Sequence, residues 1–151
     1  MRRVLPALLA GIAIGAFVSA PSQSAPGVLS STAISWEEIL AKPSGTGVTK
    51  AKQVLRDPTA TLDELEFHVS FLPPGQTPHA PHKHPDEELI VIKEGTVEAL
   101  VNGQTKKVGP GSVIFQASNQ MHNLRNVGDA PAVYHVFRWN SPGMLKAKAS
   151  E

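Results

Sequence analysis

The chain has 151 residues, no cysteine, and 14 basic against 13 acidic residues, which gives a net charge of +1. The lack of cysteine excludes disulfide bonds and a lipid anchor attached through cysteine, so the fold must be held by its core. The balanced charge does not indicate a polybasic surface, and we therefore expect no nucleic-acid partner.

Residues 1–24 have the layout of a secretory signal peptide. Arg2 and Arg3 precede an apolar run over residues 4–18, and Ser19 and Ala20 follow it. The 15 residues of this run are fewer than the roughly 20 that a membrane span needs. We expect cleavage between about residues 20 and 26 and export to the periplasm or the extracellular space, without a stable membrane anchor. An uncleaved N-terminal anchor is the alternative.

Residues 25–47 are predicted to be a flexible lead-in to a domain over residues 48–140, which a short tail over residues 141–151 follows. The lead-in is rich in Ser, Pro, Ala and Gly, the residues of flexible and turn segments. Within it, residues 34–40 around Trp36 fit either a short strand or a helical turn.

From residue 48 onward, short runs of apolar residues are separated by turn residues, without a convincing helical period. Residues 65–71 alternate between apolar and polar side chains, as a half-buried strand does, and residues 89–93 are almost continuously apolar. Residues 96–101 and 106–108 flank Asn102-Gly103, a typical two-residue hairpin turn.

The last two predicted strands cover residues 113–115 and 133–139. In all, six to eight short strands at regular spacing, with Gly, Pro and Asn-Gly at the corners, indicate an all-β sandwich or barrel.

Three histidines and one glutamate form the pattern that indicates chemistry. His82 and His84 are two residues apart, so on a strand they point to the same face, and Glu88 keeps this parity if the strand continues through Pro85. His122 lies 34 residues beyond Glu88. Three imidazoles and a carboxylate that converge on one point are suitable ligands for a divalent transition metal.

The spacing of these residues resembles the two conserved motifs of the cupins. The first is Gly75…His82-x-His84-x3-Glu88-x6-Gly95, and the second is Gly111-x10-His122-x3-Asn126. The resemblance covers about residues 65–139. Asn119 stands where the family commonly has glycine, and we expect the turn to form because asparagine tolerates the left-handed conformation.

The resemblance implies a double-stranded β-helix, the small jelly-roll barrel, as a single domain after the leader. It also implies that His82, His84, Glu88 and His122 bind one divalent transition metal per chain, with Mn, Zn, Fe, Ni and Cu all compatible with these ligands. Cupins of this kind usually dimerise, and we expect a homodimer with residues 34–40 at the contact.

Three further histidines are less closely tied to this site. His79 is interpreted as a solvated loop residue, with a position at the cavity entrance as the alternative. His68 supports the site or points outward, and the pattern does not decide between these. His135 is expected to be a hydrogen-bonded sheet residue rather than an acid–base group.

The cavity around the metal is expected to be mostly apolar. Its expected walls are Ile90, Ile92 and Phe115. Four polar residues are possible substrate-facing groups, although each by itself is interpreted as a solvent or turn residue: Gln116, Gln120, Arg125 and Arg138.

The expected function is that of an exported metal-dependent enzyme that acts on a small molecule. Oxygenation, isomerisation and decarboxylation would all use the metal as a Lewis acid, and the sequence identifies no general base, so the catalytic residues are unknown. The alternative is a non-catalytic module that binds a metal or a small ligand.

Overall fold

The computed structural model describes residues 27–144, so the predicted leader and most of the predicted tail lie outside the described residues. Within the described range, no helix has the length and apolar character that a membrane crossing requires. The elements in chain order are α1 Trp36–Ala41, β1 Lys52–Asp57, β2 Glu64–Leu72, β3 Glu87–Glu94, β4 Val97–Val101, β5 Gln104–Val108, β6 Val113–Gln116, β7 Asn123–Asn126 and β8 Ala132–Asn140.

The strands form two antiparallel sheets, and the prediction of an all-β double-stranded β-helix is confirmed. One sheet has five strands in the order β1-β2-β8-β3-β6, and the other has three in the order β5-β4-β7. Apolar side chains from both sheets pack together inside the barrel, as facing sheets do. The buried members of this core are Leu72, Ile90, Ile92, Val97, Ala99, Ile114, Leu124, Ala132, Tyr134 and Val136.

The predicted turns form where the sequence has residues that tolerate positive φ. Asn102 (φ 50°) and Gly103 (φ 73°) connect β4 to β5, and Val101 pairs with Gln104 across them, so the predicted hairpin is confirmed. Asn119 has φ 57°, which confirms that asparagine supports the turn before His122. At Gly95, a Cβ atom would lie 2.8 Å from the Cα of Ala132, so only glycine fits between these segments.

Strand β2 turns its polar side chains into the barrel. Glu66 and Ser70 are 7% and 2% exposed, and His68 and Ser70 line the interior cavity. The apolar residues of the other parity, among them Phe67 and Phe71, pack on the outer side in a second cluster with Trp36 and Ile39 of α1. Burial of polar side chains costs free energy unless they are paired, so these residues indicate that this end of the barrel has a role other than core packing.

Most of the segment over residues 34–40 lies in helix α1, Trp36–Ala41, so the helical alternative is correct and the strand alternative is wrong. A capping box explains the start of the helix, because the Ser35 side chain accepts a hydrogen bond from the Glu38 backbone N–H and the Glu38 carboxylate accepts one from the Ser35 N–H. Ile39, which is buried, packs with Trp36 against the sheet, and such packing is what holds a six-residue helix. The homodimer and the part of this segment in it stay predictions.

Strands β1 and β7 were not predicted individually. Residues 52–57 contain only two apolar residues, as is common in an edge strand, and residues 123–126 contain only one. Their formation depends on backbone pairing with β2 and β4 rather than on an apolar pattern of their own.

Candidate metal centre

The structure brings His82, His84 and His122 together at one end of the barrel. One ligand atom from each ring lies within 4.8 Å of the others. The two segments that carry them are joined by a reciprocal backbone bridge, in which the His82 N–H donates to the His122 carbonyl at 3.1 Å and the His122 N–H donates to the His82 carbonyl at 2.9 Å. The pairing explains how residues 40 positions apart in sequence meet at one site.

His82 and His84 do not lie on a strand that continues to Glu88, so the continuous strand expected from their shared parity is wrong. His82 forms an isolated bridge, and strand β3 starts only at Glu87, after Pro85. Proline lacks the N–H that a strand ladder needs, which accounts for the break. His84 is held instead by the second motif, because the Asn119 N–H donates to its carbonyl at 2.8 Å.

Hydrogen bonds to backbone carbonyls fix the ring tautomers of two histidines. The Nδ1 atom of His84 lies 2.8 Å from the Asp86 carbonyl, and the Nδ1 atom of His122 lies 2.8 Å from the Gln120 carbonyl. Since a carbonyl only accepts, each Nδ1 must carry the proton and each Nε2 keeps its lone pair. This is the arrangement that orients histidine ligands in metal proteins.

Two ring nitrogens in this cluster lack a hydrogen-bond partner among the described residues. They are Nδ1 of His82 and Nε2 of His122, and both atoms are buried. Burial, together with the neighbouring His79, His122 and His84, lowers the pKa of His82 to about 4, so this ring is neutral at pH 7. Buried nitrogens with free lone pairs are costly unless something binds them, and the donor set therefore fits a divalent metal.

Glu88 lies beside His84. Its Oε2 atom is 3.8 Å from Nε2 of His84 and 3.8 Å from Nε of Arg138. The neighbouring Glu87 instead accepts a hydrogen bond from the indole N–H of Trp139 at 2.9 Å. The two glutamates are thus separated as their parity on β3 requires, and only Glu88 lines the cavity. Its role as a fourth ligand stays a prediction.

A polar row crosses the five-stranded sheet next to the histidines. Strand register places Glu66, Arg138, Glu88 and Gln116 side by side on β2, β8, β3 and β6. Arg138 donates to Asp86 through Nε at 2.7 Å and also through Nη2, and its Nη1 lies 3.6 Å from Glu66. A single guanidinium therefore neutralises part of the charge of three carboxylates at this end of the barrel.

The cavity that these residues line has a volume of about 280 Å³, and its lining surface is mostly apolar, as expected, although several polar side chains take part in it. Ile90 lines it as expected, whereas Ile92 is buried in the apolar core. The prediction for Phe115 is wrong, because this side chain is 48% exposed on the outer face, 6.4 Å from the Trp139 ring. Phe115 has the opposite parity to Ile114 and Gln116, which point inward from β6.

Several polar residues line the cavity although the sequence pattern does not assign them to it. Gln116 is 3% exposed there and Arg138 also lines it, so the expectation that each is a solvent or turn residue is wrong. Tyr134, which also lines the cavity, was not considered, and burial raises the pKa of its phenol to about 12. Tyr134 and Arg138 have the same parity on β8, and the pairing of β8 with β2 turns that face toward the cavity. The sequence alone does not reveal this pairing.

The remaining histidines take three different positions. His79 is exposed at the cavity mouth, its ring 4.0 Å from that of His82. His68 lines the cavity, and its Nδ1 atom lies 3.0 Å from Oε1 of Glu66. His135 faces outward between Trp36 and Phe67. Its Nε2 atom is buried without a hydrogen-bond partner among the described residues, so the expected hydrogen bond is absent there.

The fold agrees with comparison to known proteins. A family model described as the cupin domain matches residues 68–138. Residues 68–138 therefore form a cupin domain, which confirms the family that the two motifs resemble.

One curated relative is dimethylsulfoniopropionate lyase DddQ of Ruegeria pomeroyi, which is 34% identical over 64 residues. The match covers 42% of this chain and 31% of the lyase, so the chain spans less than a third of the length of that relative.

Solved structures of low identity share the fold. An uncharacterised conserved protein from Klebsiella pneumoniae with a double-stranded β-helix domain is 22% identical, with a TM-score of 0.58 over 75% of this chain and 93% of that one. An RmlC-like cupin from Shewanella frigidimarina is 15% identical, with a TM-score of 0.58 over 74% of this chain and 94% of that one. At these identities the likeness concerns the fold alone.

Proposed function

We propose that this protein is a metal-dependent cupin enzyme that acts on a small molecule. The observation that carries the proposal is the cluster of His82, His84 and His122, in which two ring nitrogens are buried without a partner among the described residues. Glu88 is the proposed fourth ligand, since its carboxylate lies beside His84. When bound, a divalent metal would supply a Lewis acid at the cavity wall.

The cavity favours a small ligand. Its volume of about 280 Å³ is near the lower limit of ligand pockets, which start at roughly 300 Å³. Apolar Ile90 and Val136 share its lining with the polar groups of Gln116 and Arg138. Such a mixed lining can hold the carbon skeleton of a small polar molecule and orient its functional groups.

Isomerisation, decarboxylation, oxygenation and elimination are the reaction types to be separated. Elimination is added because of the similarity to the dimethylsulfoniopropionate lyase, which makes that compound a substrate to assay first. A non-catalytic binding module is the other outcome. A turnover screen with the Mn, Zn and Fe(II) forms distinguishes these, because catalysis should follow one metal form and disappear in His122→Ala.

Metal analysis of the purified full chain tests the centre itself. After removal of metal and reconstitution with Zn or Mn, we expect about one metal ion per chain in the wild type and a strong loss in His82→Ala and His122→Ala, because each removes a ligand. Glu88→Gln should weaken binding by about 10- to 100-fold.

Two matched variants act as controls. His135→Ala removes a histidine that faces the outer side of the sheet, and Glu87→Gln changes the glutamate that bonds Trp139; both should retain full metal content. Less than about 0.2 metal per chain in the reconstituted wild type would contradict the centre. Equal metal content in all five variants would show that the ligands are misassigned.

Export is a separate part of the proposal, supported by the order of basic, apolar and small residues over residues 1–24. N-terminal sequencing of the protein from a periplasmic or culture fraction should give a start between about residues 20 and 26. A chain that starts at residue 1 or 2 and stays in the cytoplasm would contradict export and would leave the metal centre unaffected.

A further inference from the structure

Among the described residues, four titratable side chains line the cavity in addition to the three clustered histidines and Glu88, and one of them is an imidazole inside the cavity that a carboxylate holds in place. These four are His68, His79, Tyr134 and Arg138. An arginine stays protonated in proteins, and the phenol of Tyr134 has its pKa raised to about 12 by burial. His79 is exposed at the mouth and bonds the neighbouring carbonyl of Ala80. His68 is the group that remains.

His68 and Glu66 form a paired unit on the inward face of β2. The Nδ1 atom of His68 lies 3.0 Å from Oε1 of Glu66, and Glu66 is 7% exposed. The hydrogen bond to His68, together with the nearby charge of Arg138, holds the pKa of Glu66 below its usual range against the opposing effect of burial. Glu66 is therefore a carboxylate that only accepts, so Nδ1 of His68 must donate and Nε2 keeps the lone pair.

The pair is connected to the candidate metal centre through a chain of polar contacts. Arg138 lies 3.6 Å from Glu66 and 3.8 Å from Glu88, and Glu88 lies 3.8 Å from His84. The cross-strand neighbour of His68 is Val136, which is apolar and also lines the cavity. A base held by a carboxylate, in the same cavity as the candidate Lewis-acid site, is suited to removing a proton from a substrate bound there.

We propose that His68, oriented by Glu66, is the general base of the site and removes a proton from a substrate carbon next to a carbonyl group. In this step the C–H bond breaks, the proton moves to Nε2 of His68, and the electron pair stays on the substrate as an enolate. Return of the proton to a neighbouring atom completes an isomerisation without any co-reactant. Glu66 is a positioning residue that stabilises the imidazolium. The inference rests on the proposed function and selects proton-transfer chemistry from its reaction types.

The first test needs no substrate. Long-range proton–nitrogen NMR of the Zn-loaded full chain should show His68 as the Nδ1–H tautomer. In Glu66→Gln this tautomer should no longer be enforced, because an amide can accept or donate, and a share of the Nε2–H form should appear. An Nε2–H tautomer in the wild type would overturn the proposal, since the lone pair would then face Glu66.

The second test measures exchange of carbon-bound protons in D2O by NMR, with pyruvate, 2-oxobutyrate and dihydroxyacetone as probes and the metal-loaded wild type as catalyst. His68→Gln should slow exchange by about 100-fold or more, as loss of a general base does, and Glu66→Gln by at least about 10-fold. His135→Gln, the same change on the outer face of β8, should leave exchange unaffected.

Metal content measured on the same samples separates a failure of the proposed function from a failure of the assignment of His68 as general base. A chain that does not load metal contradicts the proposed function. A loaded wild type that exchanges none of the three probes, or a loaded His68→Gln that exchanges them as fast as the wild type, overturns the assignment of His68 alone.

Discussion

The two faces of strand β2 carry side chains of opposite character at the cavity end of the barrel. The inward side chains there are polar: His68 and Ser70 line the cavity, and Glu66 is buried next to His68. The side chains of the other parity, such as Phe67 and Phe71, face outward under helix α1. In most antiparallel sheets the apolar face is the one turned to the core and the polar face is solvated.

The barrel interior therefore has two different ends. One is packed with apolar side chains, and the other contains polar and charged side chains. The end filled by Leu72, Ile92 and Val97, each at most 1% exposed, gains stability from burial of apolar surface. The end with Glu66 and Arg138 must instead compensate for buried charge by pairing, which contributes little net stability. A polar interior in this place is therefore better explained by ligand or metal binding than by folding.

The largest effect is expected at the apolar end. Ile92 is 1% exposed, and Ile92→Ala should lower the free energy of unfolding by about 2–5 kcal/mol, because it removes apolar contacts and leaves a cavity. Val113, which is 59% exposed on the outer face of β6, is the matched aliphatic control, and Val113→Ala should change stability by less than about 0.5 kcal/mol. Urea unfolding of the metal-free proteins measures both.

A similar loss in Ile92→Ala and Val113→Ala would contradict the contrast between a packed interior and a solvated outer edge. It would indicate instead that the outer edge of the sheet is covered in solution, by a second copy of the chain that binds at a surface other than the predicted contact over residues 34–40. Sedimentation of both variants distinguishes this case, since a covered edge implies a dimer.

Much of the fold could be predicted because local patterns determine it. The alternation over residues 65–71, the Asn102-Gly103 turn and the two histidine motifs are all confirmed in the structure as a strand, a hairpin and a cupin barrel. Strands β1 and β7 could not be predicted, since each forms mainly through backbone pairing with its neighbour.

The sequence predicts which histidines form the candidate site, but it does not predict which other side chains line the cavity. His82, His84 and His122 meet as the motifs indicate, although the parity argument placed them on a strand that Pro85 in fact interrupts. Which face of β2 points inward depends on the pairing of β2 with β8 and on the position of α1. Both are tertiary features, so the local sequence does not determine the inward position of His68.

At the polar end, Arg138 is expected to have the next largest effect. Its guanidinium lies between Glu66, Asp86 and Glu88, and Arg138→Met leaves these carboxylates without their shared cation. Breaking a buried pair costs about 3–5 kcal/mol, and because the side chain of Arg138 is 31% exposed, we expect about 2–3 kcal/mol in urea unfolding of the metal-free protein.

Arg56 on the neighbouring edge strand is the matched control for Arg138. It pairs with Glu64 at 3.1 Å, but its side chain is 57% exposed, so Arg56→Met should cost at most about 1 kcal/mol. Equal losses in the two variants would mean that the polar end is solvated like the surface, and the contrast between the two ends of the barrel would then be wrong.

The smallest effect concerns the pH dependence of stability at the outer face. Burial, with a smaller contribution from Lys93, lowers the pKa of His135 below its ordinary value of 6.5. The unfolded chain therefore binds a proton more readily than the folded chain does, so folding becomes less stable as the pH falls below about 6.5. In His135→Phe this contribution is absent, and the free energy of unfolding should decrease less steeply between pH 7 and pH 5.

Urea unfolding of metal-free wild type and His135→Phe at pH 7, 6 and 5 measures this difference. The histidines of the candidate metal centre are the same in both proteins, so their titration cancels in the difference. The lowered pKa of Glu66 also cancels, and its contribution is lost only at lower pH. A difference between the two proteins that stays constant from pH 7 to pH 5 would show that His135 titrates as freely as in the unfolded chain, and that helix α1 does not shield this face of the sheet from solvent.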